Sequence, residues 1–63
     1  MNLKFNDMDR WIEVYNKKGD LLGNITVDDK WNKIVWEQEQ DMIMSIGCLK
    51  QVIKKMEVED KRE

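Results

Sequence analysis

Histidine and proline are absent from the 63 residues, cysteine occurs once, and glycine only three times. Without histidine, the commonest general base and the commonest metal ligand are both missing. The single Cys48 excludes an intrachain disulfide and points to a reducing compartment. Gly19, Gly23 and Gly47 are scattered singly, so no glycine-rich loop is available to cradle a phosphate. No apolar run approaches the length of a membrane span. The opening stretch MNLKFNDMDR has neither the apolar core nor the small-residue cleavage site of a signal peptide. The expected location is therefore the cytoplasm. A basic excess is lacking as well: 11 lysines and arginines stand against 13 acids, a net charge of −2, which argues against generic polyanion binding.

What is present is a globular composition. Hydrophobic residues make up 41% and charged residues 38%, more large apolar groups than a disordered chain carries. At this length an apolar core sits near the lower limit for independent folding, so self-association is a standing expectation. No repeat or low-complexity linker divides the chain. The expectation is a single domain over 1–63, with flexible ends at about 1–8 and 60–63. Leu3 and Phe5 alternate with polar residues and leave a short edge strand open.

The stretch RWIEVYNKKGDLLGNITV, residues 10–27, reads as a β-hairpin. Lys17, Lys18 and Gly19 form a three-residue loop with glycine at the left-handed position. That loop pairs Asn16 with Asp20, Tyr15 with Leu21, Val14 with Leu22 and Trp11 with Ile25. Trp11, Tyr15, Leu21 and Ile25 then share one face, and Ile12, Val14 and Leu22 the other, with Asn24 and Thr26 toward its end. A loop longer by one residue would change every pairing.

VDDKWNKIVWEQ supplies a turn at Asp28 to Lys30 and a third strand from about Trp31 to Glu37, rich in strand-forming Trp31, Ile34, Val35 and Trp36. Beyond it, Cys48, Leu49, Val52, Ile53 and Met56 recur at helical spacing, with Lys50, Gln51, Lys54 and Lys55 outside the stripe. Ser45 is the preferred N-cap. A start near Glu39 is the alternative, and would bring Met42, Ile43 and Ile46 into the stripe with Gly47 inside the helix at a cost of about 1 kcal/mol. The expected fold is α+β: a three-stranded antiparallel meander followed by one C-terminal helix packed on one face.

One helix covers one face of such a sheet. The second apolar face then requires a homodimer mate, another protein or the N-terminal arm. The candidate partner-binding residues are Trp11, Tyr15, Leu21, Ile25 and Trp36.

The segments IEVYNKKGDLLGNI and KIVWEQEQDMIMSIGCLKQV, with Ser45, Cys48 and Leu49 as a Ser-x-x-Cys-Leu helix opening, resemble small uncharacterised proteins of phages, prophages and related mobile elements. The resemblance spans about Ile12 to Val52. It implies a short antiparallel sheet with a helix and a mobile-element setting, and transfers no catalytic or binding residue. It makes an accessory factor that binds and modulates a host protein the expected function.

Chemistry is sparse. Cys48 lies on the apolar stripe with no imidazole to pair with, which favours a structural role. Asp28 and Asp29 sit in a turn, where aspartate serves local hydrogen bonding. Glu37, Glu39 and Asp41 read as the solvated end of a strand. Neither group is read as a metal site, and no cofactor or enzymatic activity is expected. Nucleic acid is the rival partner: Trp31 lies between Lys30 and Lys33, and Lys50, Lys54 and Lys55 line the helix, as stacking and phosphate contacts would require. No arginine, the usual reader of base edges, lies between Arg10 and Arg62. A membrane surface would need the apolar stripe that the core requires.

Overall fold

Strands β1 (Lys4–Asp7), β2 (Trp11–Tyr15), β3 (Leu21–Asp28) and β4 (Lys33–Gln38) form an antiparallel meander, and helix α1 (Ile46–Asp60) follows. The computed structural model describes residues 3–61. The expected loose ends at Met1, Asn2, Arg62 and Glu63 lie outside the described residues. The α+β class and the C-terminal helix match the sequence reading, but the sheet has four strands where three were expected. The additional strand is β1, in a segment expected to be a loose end. It pairs Phe5 with Val14 and Asp7 with Ile12, while Leu3 is buried. From Leu3 to Asp7 the N-terminal arm therefore extends the sheet sideways and leaves its second face uncovered.

The first hairpin loop forms as the sequence dictates. Gly19 has φ +94°, and Asn16 N–H donates to Asp20 O at 3.0 Å. The Asn16 side-chain oxygen also accepts from Lys18 N and Asp20 N, both at 2.9 Å, which satisfies donors that the turn would otherwise leave open. Tyr15 faces Leu21 as expected, but beyond that pair the register slips. Leu22 is the extra residue of a β-bulge, so Val14 faces Gly23, Ile12 faces Ile25 and Trp11 faces Thr26. Ile25 thereby moves to the face of Ile12 and Val14, correcting its expected placement beside Trp11 and Tyr15. The reason is burial: Ile25 is only 3% exposed on this face.

The second turn is one residue longer than expected and shifts β4 along the chain. Asp28 remains in β3, and its Oδ1 accepts from Lys30 N at 2.8 Å and Trp31 N at 3.2 Å. Asn32 closes the turn at φ 55°, a region that asparagine tolerates better than most residues. Trp31 thus lies at the hairpin tip, not in a strand.

Helix α1 starts where Ser45 caps it: the Ser45 hydroxyl accepts from Cys48 N at 3.2 Å, with the serine backbone extended. The helix lies on the face of Ile12, Val14, Leu22 and Ile25, with Val52 buried against them and Cys48, Met56, Met42 and Met44 packed around. Its orientation differs from the expected stripe. Ile53 is 53% exposed, whereas Lys55 is half-buried over the Phe5 ring at 5.7 Å and pairs with Glu59 at 3.3 Å. The packed line thus runs through Cys48, Val52 and Lys55, whose aliphatic stem covers apolar surface while its ammonium reaches a carboxylate.

Two glycines test this packing in opposite directions. At Gly23 a Cβ would collide with the Glu37 carbonyl oxygen and meet the Trp36 ring carbons Cη2 and Cζ2 at 2.6 and 2.7 Å. At Gly47, in the first turn of α1, the nearest atom would be Ser45 Oγ at 3.8 Å. Gly23→Ala is expected to lower stability by about 2 kcal/mol or more through overpacking, and Gly47→Ala to raise it by roughly 0.5–1 kcal/mol. Urea denaturation midpoints of the two variants would check both signs.

Candidate interaction surface

The register divides the sheet into a face beneath α1 and an outer face that α1 does not touch. Across the outer face the residues fall into rows. Lys4, Tyr15 and Leu21 form the first; Asn6, Glu13, Asn24 and Glu37 the second; Trp11, Thr26 and Val35 the third. Two rows that each carry a pair of largely apolar side chains, Tyr15 with Leu21 and Trp11 with Val35, therefore flank a polar one. Trp11 is 39% exposed, and Tyr15, Leu21 and Val35 are half-buried.

Of the five residues expected at a partner site, the structure groups Trp11, Tyr15 and Leu21 on the outer face. It separates Ile25 and Trp36, which face each other across β3 and β4 beneath the helix. Trp36 lies there because Gly23 offers no side chain and the indole fills the space above it. Sequence reasoning missed Thr26 and Val35, which the bulge places beside Trp11. The doublet Leu21–Leu22 next to Gly23 was the one available sign of that irregularity.

A small polar network stiffens the outer face. Tyr15 O–H donates to Glu13 Oε1 at 2.9 Å, and Asn6 Nδ2 donates to the same oxygen at 3.1 Å. The Tyr15 hydrogen bond, followed by that of Asn6 and a smaller contribution from Trp11, holds the Glu13 carboxyl below its ordinary pKa. The same bond pushes the Tyr15 phenol above its own. Glu13 thus sits between the two aromatic residues of β2 and orients the Tyr15 hydroxyl. At the Trp11 end of the sheet an open cleft reaches toward the helix side, lined by Ile12, Ile25 and Ile34 and bordered by Asp7, Asp9, Asp29 and Glu59 with Arg10.

Of the residues considered for nucleic acid, Lys33 lies on the outer face next to the Trp11 row, while the helix lysines lie apart from that face on α1. Trp31 is 69% exposed at the β3–β4 tip, with Lys30 and Lys33 exposed beside it. Lys50 and Lys54 are exposed on α1, while Lys55 is held by Glu59 and Phe5. No helix among the described residues is long and apolar enough to cross a membrane.

The Glu13–Tyr15 bond sets a pH window for the outer face. Because the folded-state pKa of Glu13 is lowered, its contribution to stability is present above the unfolded-state value and is lost as pH falls through the folded-state value. Because that of Tyr15 is raised, its contribution is present below the unfolded phenol value and is lost as pH rises through the folded one. Carboxyl-detected NMR titration is expected to find Glu13 depressed in the wild type and moved toward its ordinary value in Tyr15→Phe. An unchanged Glu13 titration in that variant would contradict the bond.

No family model matches the sequence, and no curated protein or solved structure is detectably similar to it.

Proposed function

We propose that the protein is a small, non-enzymatic, cytoplasmic binding module that engages another protein through the outer face of its sheet. The observation that carries this reading is the one-sided placement of α1, which leaves Trp11, Tyr15 and Leu21 together on the opposite face. Aromatic side chains bury large areas at low entropic cost and commonly anchor interfaces. Glu13 presets the orientation of Tyr15, which reduces the ordering that binding would require. Asp7, Asp9 and Asp29, which border the Trp11 end of the sheet, favour a basic target and act mainly on association rate and specificity.

The resemblance to small phage and mobile-element proteins gives this reading its setting: an accessory factor that binds and modulates, or inhibits, a host protein by occupying its surface. The mechanism is steric and needs no cofactor. Ile25 and Trp36 act in it as support beneath the face, not as contacts.

A second reading, nucleic-acid binding, draws support from Trp31, whose indole stands exposed between Lys30 and Lys33 at the hairpin tip. Stacking on that ring with phosphate contacts from the flanking lysines suits a single strand.

Capture from a nuclease-treated lysate of the source or host cell separates the two. Tyr15→Lys is expected to lose a stoichiometrically retained protein while keeping the wild-type circular dichroism. Retention of that protein by Tyr15→Lys would contradict the outer-face reading. A salt-dependent shift of labelled single-stranded DNA, lost in Trp31→Ala, would support the second reading in its place.

A further inference from the structure

Strand β4 forms one edge of the sheet, and it carries few of the devices that keep edges apart. It has six residues without proline or bulge, whereas the opposite edge, β1, has four. The direction of its free backbone groups follows from the ladder. Glu39 N–H donates to Leu22 O at 2.8 Å, and hydrogen-bonded pairs alternate along antiparallel strands. Val35 and Glu37 therefore direct their backbone groups at β3, while Ile34 and Trp36 direct theirs outward.

The sequence of this edge is self-complementary. Lys33 and Glu37 are equidistant from Val35, as are Ile34 and Trp36. Two antiparallel β4 strands centred on Val35 would oppose Val35 with Val35, and each Lys33 with Glu37 of the other copy. Ile34 and Trp36 would form the hydrogen-bonded pairs, as their outward groups require. Sliding by two residues in either direction opposes Val35 with a charged side chain and breaks this match.

The flank of α1 supports the same occupant. Ile46, Leu49 and Ile53 follow the three- and four-residue spacing of a helix seam, and Ile46 and Ile53 are 73% and 53% exposed. Ile53 borders a groove shared with Ile34 and Met56, which places this seam on the β4 side of the helix.

We propose that the protein pairs with a second copy of itself through β4, antiparallel about Val35, joining two sheets into one of eight strands, with the Ile46–Ile53 flanks of the two helices meeting beside the junction. The pairing places both outer faces on the same side of the joined sheet. Each dimer then presents two Trp11–Tyr15–Leu21 patches in one plane. This self-association runs along the β4 edge, where it opposes the outer-face side chains of Lys33, Val35 and Glu37, and it leaves Trp11 and Tyr15 on β2 and Leu21 on β3 outside the junction, so it stands independently of what those three residues bind.

Sedimentation equilibrium on the full chain tests the pairing together with three variants. The wild type is expected at twice the 7.6 kDa chain mass at about 100 µM. Glu37→Lys opposes two lysines at each end of the junction and is expected to raise the dimer dissociation constant about tenfold. The charge swap Lys33→Glu with Glu37→Lys is expected to restore it. Val35→Cys in a Cys48→Ala background is expected to form an intermolecular disulfide on mild oxidation, since the central pair places its Cα atoms about 4.5 Å apart, within the bridging range. A monomeric wild type overturns the proposal. So does a dimer that is indifferent to Glu37→Lys, or one that leaves Val35→Cys uncrosslinked, because it would be built on another face.

Discussion

The bulge at Leu22 is the constraint on which the distribution of side chains depends. A β-strand alternates its side chains with a period of two, so one extra residue exchanges the faces of everything beyond it. In β3 that exchange sends Ile25 under the helix and Thr26 to the outer face. Without it, the core would lose Ile25 and the outer face would carry an isoleucine beside Trp11. Gly23, adjacent to the bulge, contributes to the same outcome by admitting the Trp36 indole above the strand.

The second constraint is economy. Among the described residues one fifteen-residue helix makes up the second layer, and it covers one face of the sheet. Met42 and Met44 extend that cover along the connection into α1, anchored by Gln38 Nε2 donating to Met42 O at 2.7 Å. The outer face is left to mixed rows of apolar and polar residues, with Glu13 tying Tyr15 and Asn6 together. The proposed contact with a partner would draw on the apolar members of that face. Joining through β4 would answer a different need, the small core of a short chain, by closing the edge with the largest unpaired backbone run.

Much of this was legible from local chemistry. The Lys17–Gly19 loop, the Ser45 cap and the strand-to-helix order each rest on residues adjacent in sequence, where one glycine or one hydroxyl decides the conformation. What failed to show was non-local. The slip at Leu22 is favoured only once Ile25 has a helix to bury against, and β1 becomes a strand because β2 offers it an edge. The rotation of α1, with Lys55 inward and Ile53 outward, depends on Phe5 and Glu59 being in place. The candidate site inherits this pattern: Trp11, Tyr15 and Leu21, close to the hairpin loop, group as their spacing implies, while Ile25 and Trp36 lie beyond the slip or on another strand.

The measurement that bears most directly on the account is a paired substitution across the bulge, Leu21→Lys against Ile25→Lys, read by urea unfolding and circular dichroism. The account predicts that Leu21→Lys remains folded and loses no more than about 1 kcal/mol, since its ammonium enters solvent on the outer face. Ile25→Lys is predicted to unfold, because it places an unpaired charge beneath Val52. A folded Ile25→Lys beside an unfolded Leu21→Lys would reverse the two faces, and with them the surface assigned to binding.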